Sequence, residues 1–127
     1  MIKQLALVAL GGGVGSALRY VTSLWTVKHF SYAFPLSTFI VNITGCFIIG
    51  FLMGLSNRFD IFDNNLRFLL IIGFCGGYTT FSTFSAENIQ LLETGNYGIL
   101  ALYTISSVVS GLIAVWGGNI LSKIITQ

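Results

Sequence analysis

Charge is scarce in this 127-residue chain: six Lys or Arg and four Asp or Glu make up 8% of it, where a soluble domain carries about 25%. That deficit excludes an ordinary soluble fold. A net charge of +2, with no basic run, gives nucleic acid nothing to hold. Cysteine is limited to Cys46 and Cys75, one in each of two apolar stretches. Placed this way they read as small buried apolar residues, and a disulfide or a metal site is not expected. The lone histidine, His29, sits in a predicted loop with no carboxylate beside it in sequence. Asp60 and Asp63 belong to another loop, and Glu87 and Glu93 fall toward the end of an apolar stretch. No nucleophile has a base next to it and no His, Cys and Asp gather at ligand spacing, so the chain reads as no enzyme.

What is present is apolar. Hydrophobic residues make up 54% of the chain and form four runs, at residues 2–26, 35–56, 66–92 and 98–125. Each meets the roughly 20 residues that a helix needs to cross a hydrocarbon core. The connections 29–34, 57–65 and 93–97 are short and hold most of the charges. The expectation is one all-α integral membrane domain over residues 1–127, with four transmembrane helices, in the cell (inner or plasma) membrane. The first run contains Gly11-Gly12-Gly13 and Arg19 and is too long for a typical signal sequence, so it is read as a span and not a leader. Both termini share a side with the 57–65 connection, and that side holds Lys3, Arg58, Arg67 and Lys123; the other holds Lys28, with Arg19 near its end. So weak a bias permits insertion in both orientations.

Within the third run, Gly73-Phe-Cys-Gly-Gly-Tyr-Thr-Thr-Phe-Ser-Thr-Phe84 puts adjacent glycines and hydroxyl side chains where a membrane helix should be. Glycine weakens a helix interior by about 1 kcal/mol relative to alanine, and hydroxyls compete for backbone hydrogen bonds. The third helix is therefore expected to be broken near its middle, across residues 73–80. Irregular backbone survives in hydrocarbon only where protein buries it or water reaches it. Carbonyls freed there suit a hard cation. Phe81 and Phe84 share a face among Thr79, Thr80, Ser82, Thr83 and Ser85. Ring edges are positive, so neutral donors and ring edges together suit a small anion that must enter and leave quickly.

Other polar residues in the spans have two readings each. Asn42, the only amide deep in a span, faces the same way as Thr38 and is either interhelical glue or a donor lining a path. Tyr103, Ser107 and Ser110 form a hydroxyl stripe that is either a relay or a packing face. Arg19 either draws anions into a vestibule, snorkels, or pairs with a carbonyl at a helix end. Gly11-x-x-x-Gly15, Gly12-x-x-x-Ser16 and the ladder Thr38, Asn42, Cys46, Gly50, Gly54 allow close helix approach, within a subunit or between subunits. Four helices alone leave little room for a path, so a homo-oligomer is expected. With no internal repeat, its symmetry must come from a second chain. Gly11-x-Gly13-x-x-Ser16 comes near a dinucleotide fingerprint but lacks the strand and the later acidic residue, and close packing explains it better.

Gly12, Gly13, Gly15, Ser16, Arg19 and Tyr20, then Thr38-x-x-x-Asn42-x-x-Gly45, then the run from Gly73 to Ser85 together resemble the Fluc/CrcB fluoride channels over nearly the whole chain. The resemblance implies a passive, fluoride-selective channel that exports cytoplasmic F⁻. It also implies a dual-topology antiparallel homodimer with two pores and a central structural Na⁺. By position, Phe81 and Phe84 would be ring-edge fluoride contacts and Asn42 a pore-lining donor. Thr38, Tyr103 and Ser107 would belong to the polar track, and Arg19 to the vestibule. Gly76 and Thr79 would offer backbone carbonyls to Na⁺. Ser82 and Thr83 join the pathway by their place beside the phenylalanines, Ser110 by spacing alone. Ser37 departs from the family's usual glycine. The rival readings are a small dual-topology, proton-coupled multidrug transporter, for which Glu87 is the only membrane carboxylate, and a non-transporting interaction subunit.

Overall fold

The computed structural model describes residues 1–58 and 63–126; Asp60 lies outside them. Among the described residues all regular structure is helical, and four helical stretches are long and apolar enough to cross a membrane: Ile2–His29, Leu36–Ser56, Asn64–Glu93 and Tyr97–Ile125. The first two are α1 and α2. The third comprises α3 (Asn64–Leu66), a π-wound tract Arg67–Cys75, α4 (Gly76–Tyr78) and α5 (Phe81–Glu93). The fourth is α6 (Tyr97–Ile125).

Helix ends follow local chemistry. Asp63 caps α3 by accepting the Leu66 amide at 3.0 Å. That amide, together with the Asn65 side chain, holds the Asp63 carboxyl below the usual carboxylate range. Between α5 and α6 the chain turns through Gly95, whose φ of 73° is a conformation that side chains disfavour. His29, expected in a loop, is instead the last residue of α1. Its Nδ1 lies 2.8 Å from the Trp25 carbonyl, one turn earlier.

Glycine brings the helices together. A methyl group on Gly11 would overlap the Leu69 carbonyl, one on Gly15 the Phe74 carbonyl, and one on Gly77 the Gly12 carbonyl, so α1 lies backbone-to-backbone along the first half of the third span. In α2, Gly50 meets Val115 and Gly54 meets Ser122 of α6, and Gly118 returns the contact against Phe47. Both small-residue ladders thus serve packing between helices of this chain. Ser37 donates to Ser23 at 2.8 Å and ties α2 to α1.

The core is small. Val41, Cys75, Tyr78, Leu91 and Tyr103 are its buried hydrophobic members, whereas Leu10, Val14, Ile105, Leu112 and Trp116 all lie on the outside. Apolar surface facing outward is the arrangement that a bilayer solvates and water does not.

Candidate functional site

The site is built where two residues of the third span leave helical geometry. Thr79 (φ −79°, ψ 158°) and Thr80 (φ −150°, ψ 121°) are extended between α4 and α5. The glycine-rich residues 73–77, expected to unwind, are helical; Gly73 and Gly77 accommodate α1. Of the 73–80 stretch only the last two residues, Thr79 and Thr80, leave helical geometry, because Thr80 is an N-cap. Its hydroxyl accepts the Thr83 amide at 3.2 Å and starts α5.

An interruption in hydrocarbon leaves backbone groups to be satisfied, and three side chains from other helices do so. The Asn42 amide pairs with Thr80 on both sides, accepting its N–H at 2.8 Å and donating to its carbonyl at 3.0 Å. Arg19 donates to the Thr79 carbonyl at 3.2 Å, and Ser16 to the Gly77 carbonyl at 3.3 Å. Of the readings open for Arg19, pairing with a carbonyl at a helix end is the one observed. Asn42 holds backbone together, and its second N–H hydrogen is left for another acceptor.

Two cavities meet at Thr80, which lines both. One, of about 610 Å³, gathers Asn42, Gly76, Thr79, Phe81, Phe84 and Ser107. The other, of about 250 Å³, gathers Ser16, Arg19, Ser23, Thr38 and Thr83. Phe81 is 78% exposed. Its ring centroid lies 5.8 Å from Phe84, and Phe84 lies 5.0 Å from Tyr103. Ser107 Oγ is buried with no hydrogen-bond partner. Ser82 Oγ lies 3.3 Å from Thr80 Oγ1. Ser110, half-buried on α6, lines neither cavity, so spacing along a helix did not carry it to the site.

One residue at the site was missed. The sequence marks Glu87 as an acidic residue late in its span and as the only membrane carboxylate open to proton coupling, not as a member of this site. In the structure its Oε1 accepts from Thr38 and its Oε2 from Tyr103, both at 2.7 Å. The donors come from α2 and α6, so no local pattern marks the carboxylate as the joint of three helices. One turn-neighbour away, Thr104 donates to Asn88 at 2.9 Å, a second polar rung between α5 and α6.

A family profile described as "CrcB-like protein, Camphor Resistance (CrcB)" matches residues 6–119. The chain is 49% identical over 123 residues, 97% of its length and 98% of the relative's, to a protein of Azobacteroides pseudotrichonymphae named "Fluoride-specific ion channel FluC". Proteins of the same name from Flavobacterium psychrophilum and Phocaeicola vulgatus are 48% and 46% identical, each over 96% of this chain and 98% and 100% of their own. The chain has four membrane-crossing helices, and its interrupted third span is stitched by Asn42 and Arg19. With relatives aligned end to end along it, it belongs to the CrcB-like family and is a multi-pass protein of the cell membrane.

Proposed function

We propose that the protein is a fluoride-selective channel that passively exports cytoplasmic F⁻. The observation that carries this reading is 46–49% identity, over nearly the full length, to relatives named as fluoride-specific channels. The geometry of the site supplies a physical reason. The larger cavity is walled by phenyl rings, the Asn42 amide and the unpartnered Ser107 hydroxyl. Such a wall attracts a small anion through neutral donors and ring edges without trapping it as a full positive charge would. The amino end of α5 adds partial positive charge beside Phe81. Arg19 adds a full charge in the smaller cavity, where it concentrates anions before they meet Thr83 and Thr38. Tyr103 and Thr38 occupy the Glu87 oxygens, so the carboxylate acts as an acceptor for hydroxyls at the edge of the path.

The working unit in this reading is an antiparallel, dual-topology homodimer with two pores. The exposure of Phe81 and the open space around Gly76 support it, since both residues border the larger cavity and leave one of its sides unfilled. Na⁺ fits the same centre. The amide that would follow Gly76 in a helix, Thr80 N–H, is diverted to Asn42, and the one that would follow Thr79, Thr83 N–H, is diverted to Thr80 Oγ1. Both carbonyls are therefore available to a hard cation, although Thr79 shares its oxygen with Arg19. Two oxygens are too few to coordinate the ion, so a second copy must complete the set. A bound Na⁺ would supply positive potential and hold the two copies together.

Reconstituted liposomes test the function. The expected result is rapid, dissipative F⁻ efflux with little Cl⁻ flux and no proton coupling. Equal leakage of F⁻ and Cl⁻, or proton-coupled movement, would overturn it. For the cation, an anomalous-scattering signal at the Gly76 and Thr79 carbonyls after ion substitution is expected, and an ion-free centre in crystals of the dimer would remove Na⁺ from the proposal.

A further inference from the structure

The chain's single proline, Pro35, stands just before α2. Its angles (φ −71°, ψ 67°) and a 2.7 Å hydrogen bond from the Leu36 amide to the Phe34 carbonyl define an inverse γ-turn. The ring of proline fixes φ near this value, so the turn is built into the sequence. It folds Phe34, a residue of the α1–α2 connection, back onto the bundle. There the Phe34 ring lies 5.2 Å from Tyr103 at an interplanar angle of 77°, and 5.5 Å from Phe39 at 73°. Tyr103 is fully buried, touches Phe84 with its ring and donates its hydroxyl to Glu87. The rings of Phe34, Tyr103, Phe84 and Phe81 thus form one unbroken aromatic series, from a loop to the exposed face of α5.

We infer that Phe34 is a positioning residue for conduction. Its ring, packed edge to face on Tyr103, confines the tyrosine so that the hydroxyl stays on Glu87. Buried aromatic rings pivot when a neighbour is trimmed, because rotamers are held by contact and not by the backbone alone. With Phe34 shortened, Tyr103 gains room to swing and Glu87 loses one of its two hydroxyl donors. An acceptor left bare beside the path repels the anion that it otherwise lets pass. The inference rests on the pathway proposed above, and it adds to that pathway a loop residue that lines neither cavity.

The test is F⁻ efflux from liposomes for the wild type, Phe34→Leu, Phe34→Tyr, Tyr103→Phe and the double variant Phe34→Leu/Tyr103→Phe. Phe34→Leu should slow efflux on the order of tenfold, and Phe34→Tyr, which keeps the ring, should restore most of it. Tyr103→Phe keeps the ring and removes the hydroxyl, so Phe34→Leu should have no further effect in that background. Should Phe34→Leu fail to fold, Phe34→Met fills the space without a ring and carries the same comparison. Undiminished efflux in folded Phe34→Leu or Phe34→Met, or an equal proportional loss in both backgrounds, would overturn the inference while leaving the channel reading intact. A wild type that passes no F⁻ would instead overturn the channel reading itself.

Discussion

The two halves of the third span are held by different forces. Residues 64–78 lie against α1 with backbone touching backbone, through Gly11, Gly15 and Gly77. Residues 81–93 are tied by side-chain polar bonds: Thr38 and Tyr103 to Glu87, Thr104 to Asn88. Van der Waals contact between backbones tolerates no extra atoms, whereas hydrogen-bonded rungs tolerate exchange of one donor for another. The first half therefore serves as the scaffold, and the second half carries the chemistry at little packing cost. The join, at Thr79 and Thr80, draws on α1 and α2 together.

The strongest way to break this contrast is to add volume to the scaffold half. Gly77→Val should collide with the Gly12 backbone and leave little folded protein after detergent extraction, while Gly98→Ala, with open space around it and away from the proposed dimer centre, should be recovered at wild-type yield in size-exclusion chromatography. Equal recovery of both would mean that the glycine contacts are not what holds the span. On the other half, Phe84→Ile and Phe81→Ile should leave the protein folded yet reduce F⁻ efflux by at least about tenfold; undiminished flux in both would remove the ring-edge wall. At the join, Asn42→Ala leaves the Thr80 N–H without its partner in an apolar setting and should cost about 1–3 kcal/mol, read as a lower thermal midpoint in detergent. The smallest effect is expected outside the membrane, at Asp63. Its carboxyl titrates below the usual range because the Leu66 amide favours the charged form. Its contribution to stability is then present above the normal carboxylate range and is lost as pH falls through the depressed value. Asp63→Ala should lower the thermal midpoint slightly at neutral pH, with the gap to wild type closing in acid.

Much of the fold is legible because a bilayer demands long apolar runs. All four spans are visible as such, and their observed ends shift by a few residues where polar side chains such as Lys28 and His29 continue a helix already begun. The site is harder to read, because its bonds join distant parts of the chain. The glycines at 76 and 77 looked like the weak point, but a missing side chain signals close approach as readily as flexibility, and Gly77 is an approach to Gly12. Thr80 and its partner Asn42 are 38 residues apart, and Glu87 lies 49 residues from Thr38. Spacing on one helix reports which residues share a face and says nothing of what that face meets. Hence Phe81, Phe84, Asn42 and Ser107 could be named from the sequence and come together at one cavity, while Ser110, chosen by the same periodicity, does not join them.

The π-wound tract Arg67–Cys75 has a consequence for how the span tolerates length changes. Each of its i→i+5 hydrogen bonds encloses one residue more than an α-helical turn does, so the tract holds slack that an α-helix would not contain. Removing one residue there lets the winding tighten to the α form and take up the loss locally, leaving α4, the paired threonines and α5 in their former azimuth. The same deletion in α5, which has no such slack, would rotate every later residue by about 100° and carry Glu87 and Asn88 away from their partners.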